Sequence, residues 1–190
     1  KNNLDLKLER KFQNIRAKLT AFTHDQNEVF ALYQNEEDEF AKYAIAAANF
    51  FSGNHEKSIN LIQSLIDMYP SNPYYHEFLG EIYYFQGDYT KALKKQKTAM
   101  SILSKDSDLH LMILGTYLLA ESSNESIIES IKVLNKSLFL NKYNSYSWYL
   151  LAKAYALSDN LPLAQYASAE RYYLNGDRPL ALEFAKKAIK

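Results

Sequence analysis

The chain has 190 residues, of which 47% are hydrophobic and 23% charged, a composition that excludes a disordered tail. Its 22 basic and 22 acidic side chains cancel, so the positive charge of a nucleic-acid-binding protein is missing and we expect no nucleic-acid partner. No apolar run is long enough for a membrane span, and the absence of cysteine excludes disulfides and thiolate metal sites.

The first predicted element is a helix from about Leu4 to Phe22. Its apolar residues recur at alternating spacings of four and three, which is typical of one stripe that faces a core: Leu8, Phe12, Ile15, Leu19 and Phe22. The basic residues of the opposite face form either a solvated surface or a docking surface for another domain: Lys7, Arg10, Lys11, Arg16 and Lys18. A polar stretch from Thr23 to Asn35, with an apolar cluster of Val29, Phe30, Leu32 and Tyr33, is predicted to be a connector.

Four acidic residues follow, from Glu36 to Glu39, and an alanine-rich helix begins directly after them. Negative charge at a helix N-terminus is stabilised by the helix dipole. We favour that structural interpretation over a partner-binding patch.

From this point the chain repeats with a period of 34 residues, the distance from Gly53 to Gly87. The first repeat runs from Glu39 to Asn72 and is closed by Pro70. The second, Pro73 to Asp106, has small residues where its helices are expected to cross: Gly80, Ala92 and Ala99. Glycine at the inner turn suits a left-handed backbone.

A third repeat begins near Asp108, with Leu114-Gly115 at the equivalent position, a longer inner turn from Glu121 to Ser126, and Ser130 and Ser137 in place of small alanines. The fourth begins at Ser145 and carries the most complete pattern: Trp148, Leu151, Ala152, Tyr155 and Ala164. The helix from about Leu161 to Leu174 is shared with a last partial unit, whose final helix runs from Arg178 to Lys190.

Residues 39–190 are identified on this pattern as an array of tetratricopeptide repeats (TPR), a family of two-helix scaffolds. The chain departs from the pattern at Ala46, in place of a crossing glycine, and at Ser104 and Lys142, in place of closing prolines. The family implies an all-α fold, a right-handed superhelix of antiparallel helix pairs (a TPR solenoid) preceded by the N-terminal helix. We predict residues 1–36 as helix and connector and residues 37–190 as an array of about four to five repeats.

A second resemblance covers Lys11 to Phe22, Asn72 to Leu93, Ser147 to Asp177 and Ala181 to Lys190. These segments resemble the region after the catalytic domain in bacterial zinc metallopeptidases of the HtpX-like and BepA-like kind. The resemblance implies a periplasmic or secreted parent enzyme of envelope quality control that holds zinc in an HExxH motif. Residues 1–36 would then end an upstream protease domain, in cis with the repeats. The alternative is a free-standing TPR adaptor, which could be cytoplasmic.

The residues at the two ends fit that implication. Lys1 is not an initiator methionine, and the last helix stops within an amphipathic run with no polar cap. We therefore expect this chain to be part of a longer protein.

We expect no catalytic activity from the residues of this chain. A zinc protease of this kind needs two histidines at i and i+4 with a glutamate general base, and neither His55-Glu56 nor His76-Glu77 is followed by the second histidine. No phosphate-binding loop, serine nucleophile motif or carboxylate dyad is present. We predict no catalytic residue, no metal ligand and no cofactor in the chain itself, and we rank a hydrolase activity of this chain last.

In the TPR fold the first helix of each repeat lines a concave groove, which we predict to bind a protein or peptide. The residues predicted to bind the partner are Phe40, Tyr43, Phe50, Tyr74, Glu77, Glu81, Tyr84, Phe85, Met112, Thr116, Tyr146, Tyr149 and Lys153. This surface is mostly aromatic and apolar, and Lys153 alone fits the basic clamp that holds acidic chaperone tails. Many of the rings could instead pack against neighbouring helices.

Overall fold

The computed structural model describes residues 3–34, 38–103 and 105–189, and within these ranges it contains eleven α-helices and no strand. The helices are α1 (Asn3–Thr23), α2 (Gln26–Tyr33), α3 (Glu39–Phe51), α4 (His55–Met68), α5 (Pro73–Phe85), α6 (Tyr89–Leu103), α7 (Asp108–Glu121), α8 (Asn124–Leu140), α9 (Ser145–Leu157), α10 (Leu161–Leu174) and α11 (Arg178–Ala188). The predicted all-α class, built from paired helices, is confirmed. The predictions for Lys1, Asn35, Glu36, Glu37, Ser104 and Lys190, and for the side chain of Lys7, lie outside the described residues.

The chain divides into two compact units, Lys1–Gln86 and Gly87–Lys190. In the first unit α3 packs against α1, α2 and α4, and α4 packs against α5. Its core is centred on Tyr43, Tyr75 and Phe78, which are at most 1% exposed. Edge-to-face contacts join the ring of Tyr43 to Tyr75 at 5.2 Å and to Phe78 at 5.6 Å. Such pairs add to the stabilisation that burial alone provides.

The prediction that the apolar stripe of α1 faces the core is wrong, because the helix packs on the core with its opposite side. The apolar residues Leu8, Phe12, Ile15, Leu19 and Phe22 are 49–71% exposed, whereas Asn14, Ala17 and Ala21 are at most 3% exposed. The small alanines let α1 lie close to α3, and the Asn14 amide donates to the Arg10 carbonyl at 2.8 Å. Two of the basic residues predicted for the outer face, Arg10 and Lys18, make ion pairs with the rest of the unit.

The connector prediction for residues 23–35 missed helix α2. Asp25 caps this helix, its carboxylate accepting from the backbone N–H groups of Asn27 and Glu28, and the Glu28 side chain completes a capping box. Val29 and Tyr33 then pack in the core. At the next helix, Asp38 accepts from the N–H groups of Phe40 and Ala41, which agrees with a structural role for the described part of the acidic run.

In the second unit the helices pack as neighbours along the chain, α6 on α7, α7 on α8, α8 on α9, α9 on α10 and α10 on α11. The α7–α8 crossing depends on Gly115, because a Cβ atom there would lie 2.7 Å from Cγ of Leu134. The buried serines of α8 satisfy their hydroxyls: Ser130 donates to the Ile127 carbonyl and Ser137 to the Asp108 carbonyl. They therefore replace alanine without leaving a buried donor unpaired.

The turns inside the helix pairs need a left-handed residue. Gly53, Gly87 and Gly176 have φ values of 82°, 79° and 83°. The third and fourth repeats place Ser122 and Asp159 in the same region, at φ 61° and 57°. Residues with a Cβ atom are strained there, so these two turns cost more than the glycine turns.

Candidate functional site

The predicted partner-binding residues of the first unit lie on α3 and α5, and we call this set the α3/α5 face. Tyr43 and Phe50 are only 1% and 7% exposed, so they belong to the core, whereas Phe85 is 63% exposed. The other members are partly buried: Phe40, Tyr74, Glu77, Glu81 and Tyr84. Phe85 contacts Phe50 edge to face at 5.4 Å, so the face has an exposed aromatic edge above a buried ring.

Helix α1 contacts the α3/α5 face directly. The Lys18 ammonium lies 2.5 Å from the carboxylate of Glu81 and 4.9 Å from the centre of the Phe78 ring. At the other end of the contact, the Arg10 guanidinium pairs with Glu39 at 2.6 Å. The repeat pattern gave no sign of this contact. The sequence signal that could have revealed it is the helical spacing of Asn14, Ala17 and Ala21. These three residues are not apolar enough for hydrophobic periodicity to identify them as a buried stripe.

Burial and nearby carboxylates raise the pKa of two tyrosines of this unit. Burial raises the pKa of Tyr43 well above its usual range, and the nearby carboxylates of Glu77 and Glu81 raise it further. Burial, followed by the charge of Glu39, also raises the pKa of Tyr75, whose hydroxyl donates to the Glu39 carboxylate at 3.0 Å. The Tyr75 hydroxyl therefore acts as a neutral hydrogen-bond donor.

The predicted partner-binding residues of the second unit lie on α7 and α9, and we call them the α7/α9 face: Met112, Thr116, Tyr146, Tyr149 and Lys153. Tyr146 and Tyr149 are 48% and 38% exposed, and their ring centres lie 5.6 Å apart. The Arg171 guanidinium of α10 lies 4.6 Å from the centre of the Tyr149 ring. A cation at this distance over a ring is attracted to it, so Arg171 favours the observed orientation of the Tyr149 ring.

The remaining members of the α7/α9 face differ in exposure. Met112 and Thr116 are partly buried, and Lys153 is exposed. Thr116 donates its hydroxyl proton to the Met112 carbonyl at 3.0 Å, and the Asn144 amide contacts the Met112 sulfur at 3.5 Å. Asn144 also caps α9 by accepting from the N–H groups of Tyr146 and Ser147, which positions the two tyrosines.

Sequence reasoning did not find Arg171 as part of this surface. It lies on α10, the second helix of its repeat, whereas the repeat pattern assigns the groove to first helices. The guanidinium also lies 5.5 Å from the Tyr172 ring, so it is held between two aromatic side chains. Its helical position alone does not reveal this arrangement.

Neither of the two His-Glu pairs has the surroundings of a metal site. The His76 ring donates from Nε2 to the Pro70 carbonyl at 2.8 Å and is 6% exposed, and the His55 ring packs against Phe50. Among residues 3–34, 38–103 and 105–189, no three His, Asp or Glu side chains are grouped as metal ligands would be. In the same ranges no helix is both long and apolar enough to cross a membrane.

Solved structures define the fold as that of a TPR protein. The chain superposes on 41% of yeast Tom70 with a TM-score of 0.73, 19% identity and 96% of this chain covered. YrrB, described as a TPR protein with an unusual peptide-binding site, matches 84% of this chain and 89% of its own with a TM-score of 0.57 and 18% identity. The chain thus has the fold of a TPR protein.

Relatives that are similar in sequence include two Escherichia coli proteins, although no family model matches the chain. The beta-barrel assembly-enhancing protease of Escherichia coli K12 is 27% identical over 148 residues, 78% of this chain. NrfG, a subunit of the formate-dependent nitrite reductase complex of Escherichia coli O157:H7, is 27% identical over 141 residues, 74% of this chain. The chain spans 29% of the length of the protease and 65% of that of NrfG. The first match agrees with the resemblance to TPR-bearing zinc metallopeptidases.

Proposed function

We propose that this chain binds a peptide or an unfolded protein segment on its α7/α9 face and contributes no catalytic group. The observation that supports this best is the exposed pair Tyr146 and Tyr149, in which Tyr149 is held by Arg171. Tyrosine offers a large apolar ring and a polar tip, and little conformational freedom is lost when it orders against a ligand. A surface prearranged in this way suits segments of varied sequence.

The exposed areas of these rings are large enough to give measurable binding. Burying a whole aromatic side chain contributes about 1.5–3 kcal/mol, and roughly half of each ring is still available. Two rings together would then change a dissociation constant by at least about tenfold. Lys153 and Arg171 place positive charge beside the rings, which favours segments that carry backbone carbonyls or carboxylates toward them.

We further propose that the chain is the TPR region of a periplasmic zinc-dependent metalloprotease of envelope quality control. The support is the 27% identity to the beta-barrel assembly-enhancing protease. In that setting the TPR region would pack on an upstream protease domain in cis and bind client or assembly-machinery proteins. Zinc would be held by an HExxH motif, which this sequence lacks.

A direct test uses a fluorescently labelled, urea-unfolded outer-membrane β-barrel protein as the ligand, diluted into the 190-residue chain. Tyr146→Ala with Tyr149→Ala should weaken binding by at least about tenfold, because both rings are lost. Tyr143→Ala is the matched control, since this tyrosine is 71% exposed but is not a member of the face. Equal binding by the double variant and the control would refute the assignment of the face.

The alternative is a free-standing TPR adaptor, with which the match to NrfG, a subunit of another complex, is compatible. Detection of the native protein in its own cells separates the two possibilities. A species near 22.0 kDa, the mass of this chain, would exclude the protease parent, and a much larger species would support it. The binding experiment is independent of this outcome, because both proposals use the same face.

A further inference from the structure

Helix α1 carries an apolar stripe that the described residues of its unit leave about half exposed, and we call it the α1 seam. Its members and their exposed fractions are Leu8 57%, Phe12 58%, Ile15 49%, Leu19 56% and Phe22 71%. Five large apolar side chains in one row form a contiguous patch, which proteins rarely leave in water without a partner. Phe22 also touches Phe51, so one end of the seam is continuous with the surface of α3.

The seam has the spacing of a coiled coil. Steps of four, three, four and three place its members alternately at the d and a positions of a heptad, the row that faces a second helix. The buried residues Asn14, Ala17 and Ala21 lie at the c and f positions, nearly opposite on the helix. Because that opposite side is already packed on the unit, α1 would not have to fold when a second helix binds, which lowers the cost of association.

The charges beside the seam distinguish the two possible directions of a second, identical helix. Glu9 and Arg16 occupy e positions, Lys11 occupies a g position, and all three are exposed. In a parallel pair each Lys11 would face Arg16 of the partner subunit, which is repulsive. In an antiparallel pair each Glu9 would face Arg16 of the partner subunit, so two attractive contacts form on one flank.

The other flank is compatible with the antiparallel arrangement. There Lys11 would come near Lys18 of the partner subunit. Lys18 is already paired with Glu81 at 2.5 Å and its side chain is 31% exposed, so much of its charge is neutralised within its own unit. Lys11 would therefore lie near a Lys18–Glu81 salt bridge and not near an unpaired positive charge. The net charge pattern favours two chains in opposite directions.

We propose that two copies of this chain associate through their α1 seams as an antiparallel helix pair with two-fold symmetry. Phe12 packs against Ile15 of the partner subunit, and Leu8 packs against Leu19 of the partner subunit. Each contact occurs twice, as an isologous interface requires. The interface is two heptads long and thus at the small end for protein complexes, so the dimer dissociates in the micromolar range.

The test is sedimentation velocity of the 190-residue chain over a concentration series that spans the micromolar range. The unchanged chain is expected to form dimers. Arg16→Glu places Glu9 against a second glutamate and should weaken the dimer by about tenfold or more. Glu9→Arg combined with Arg16→Glu reverses both charges and should restore the dimer. Lys132→Glu, a similar charge change on the exposed side of α8, is the matched control and should change nothing.

Each contrary outcome overturns the proposal in a different way. A chain that stays monomeric throughout the concentration series would refute self-association through the seam. A dimer strengthened by Arg16→Glu would be parallel, since Lys11 would then face an acid. A dimer that survives Phe12→Glu, with an unchanged helical circular dichroism spectrum, would use another surface. None of these results bears on peptide binding by the α7/α9 face.

Discussion

The contact between Gly115 of α7 and Leu134 of α8 makes a sharp stability prediction. In Gly115→Ala the new Cβ atom would lie 2.7 Å from Cγ and Cδ2 of Leu134 and 3.3 Å from Cδ1. Carbon atoms normally approach to about 3.5–4.0 Å, so the overlap is close to 1 Å. Leu134 is 0% exposed and surrounded by other core residues, which leaves it little room to move.

The expected loss follows from two opposing effects. Overpacking a well-filled core costs about 1–3 kcal/mol, and an overlap of this size belongs at the upper end. Alanine is a better helix former than glycine by about 1 kcal/mol, which offsets part of the loss. The net destabilisation is therefore about 2 kcal/mol, equivalent to a fall in melting temperature of roughly 4–8 °C for a chain of this size.

Thermal and urea unfolding, followed by circular dichroism at 222 nm, measure this change. Leu134→Ala alone should cost about 2–5 kcal/mol because it leaves a cavity. The double variant should cost clearly less than the sum of the two single variants, since the added methyl group enters the space that the leucine vacates. An unchanged or raised melting temperature for Gly115→Ala, or strictly additive costs, would refute the close crossing of α7 and α8.

Three further outcomes are expected. Ser122→Gly should stabilise the chain by about 1 kcal/mol, because a Cβ atom is strained at φ 61°. Gly87→Ala should destabilise it by a similar amount for the same reason. Melting temperatures of both variants equal to that of the unchanged chain would contradict this reasoning. A double-mutant cycle of Lys18→Ala and Glu81→Ala should give a coupling of about 1 kcal/mol, and additivity would show that α1 is not held by this pair. Hydrogen bonds from Ser126 and Ser123 lower the pKa of Glu121 below 4.5. The ionised carboxylate therefore stabilises the fold above that pH, and this stabilisation disappears as the pH falls through the lowered pKa. In urea unfolding, Glu121→Gln should be less stable than the unchanged chain at pH 7 and equally stable in acid.

The repeats could be predicted from sequence because small residues and turns recur at a fixed period. Gly53, Gly87 and Gly115 mark places where a side chain would be strained or would clash, and such constraints leave a trace in the sequence. The limits of α3 to α11 followed from this register to within a few residues. Helix α2 left a weaker trace, the Asp25 and Glu28 capping box, which lies outside any repeat.

The orientation of α1 could not be predicted, because hydrophobic periodicity assumes that the apolar stripe is the buried one. Here the buried side is made of Asn14 and two alanines, and its ion pairs depend on residues far along the chain, such as Glu81. The burial of two predicted partner-binding residues could not be predicted for a similar reason. Repeat position placed Tyr43 and Phe50 on the partner-binding surface, but position alone does not reveal that neighbouring rings bury them.

Because Lys18 is paired with Glu81, α1 would compete with any ligand that binds Glu81 on the α3/α5 face. A ligand that uses Glu81 binds only the fraction of molecules in which Lys18 has released it, so its apparent dissociation constant equals the intrinsic value divided by that fraction. Because Lys18 belongs to the same chain as Glu81, its local concentration is constant. The increase that it causes in the apparent dissociation constant therefore does not fall when the protein is diluted. A change on α1 that loosens Lys18 would therefore tighten binding at a carboxylate on another helix.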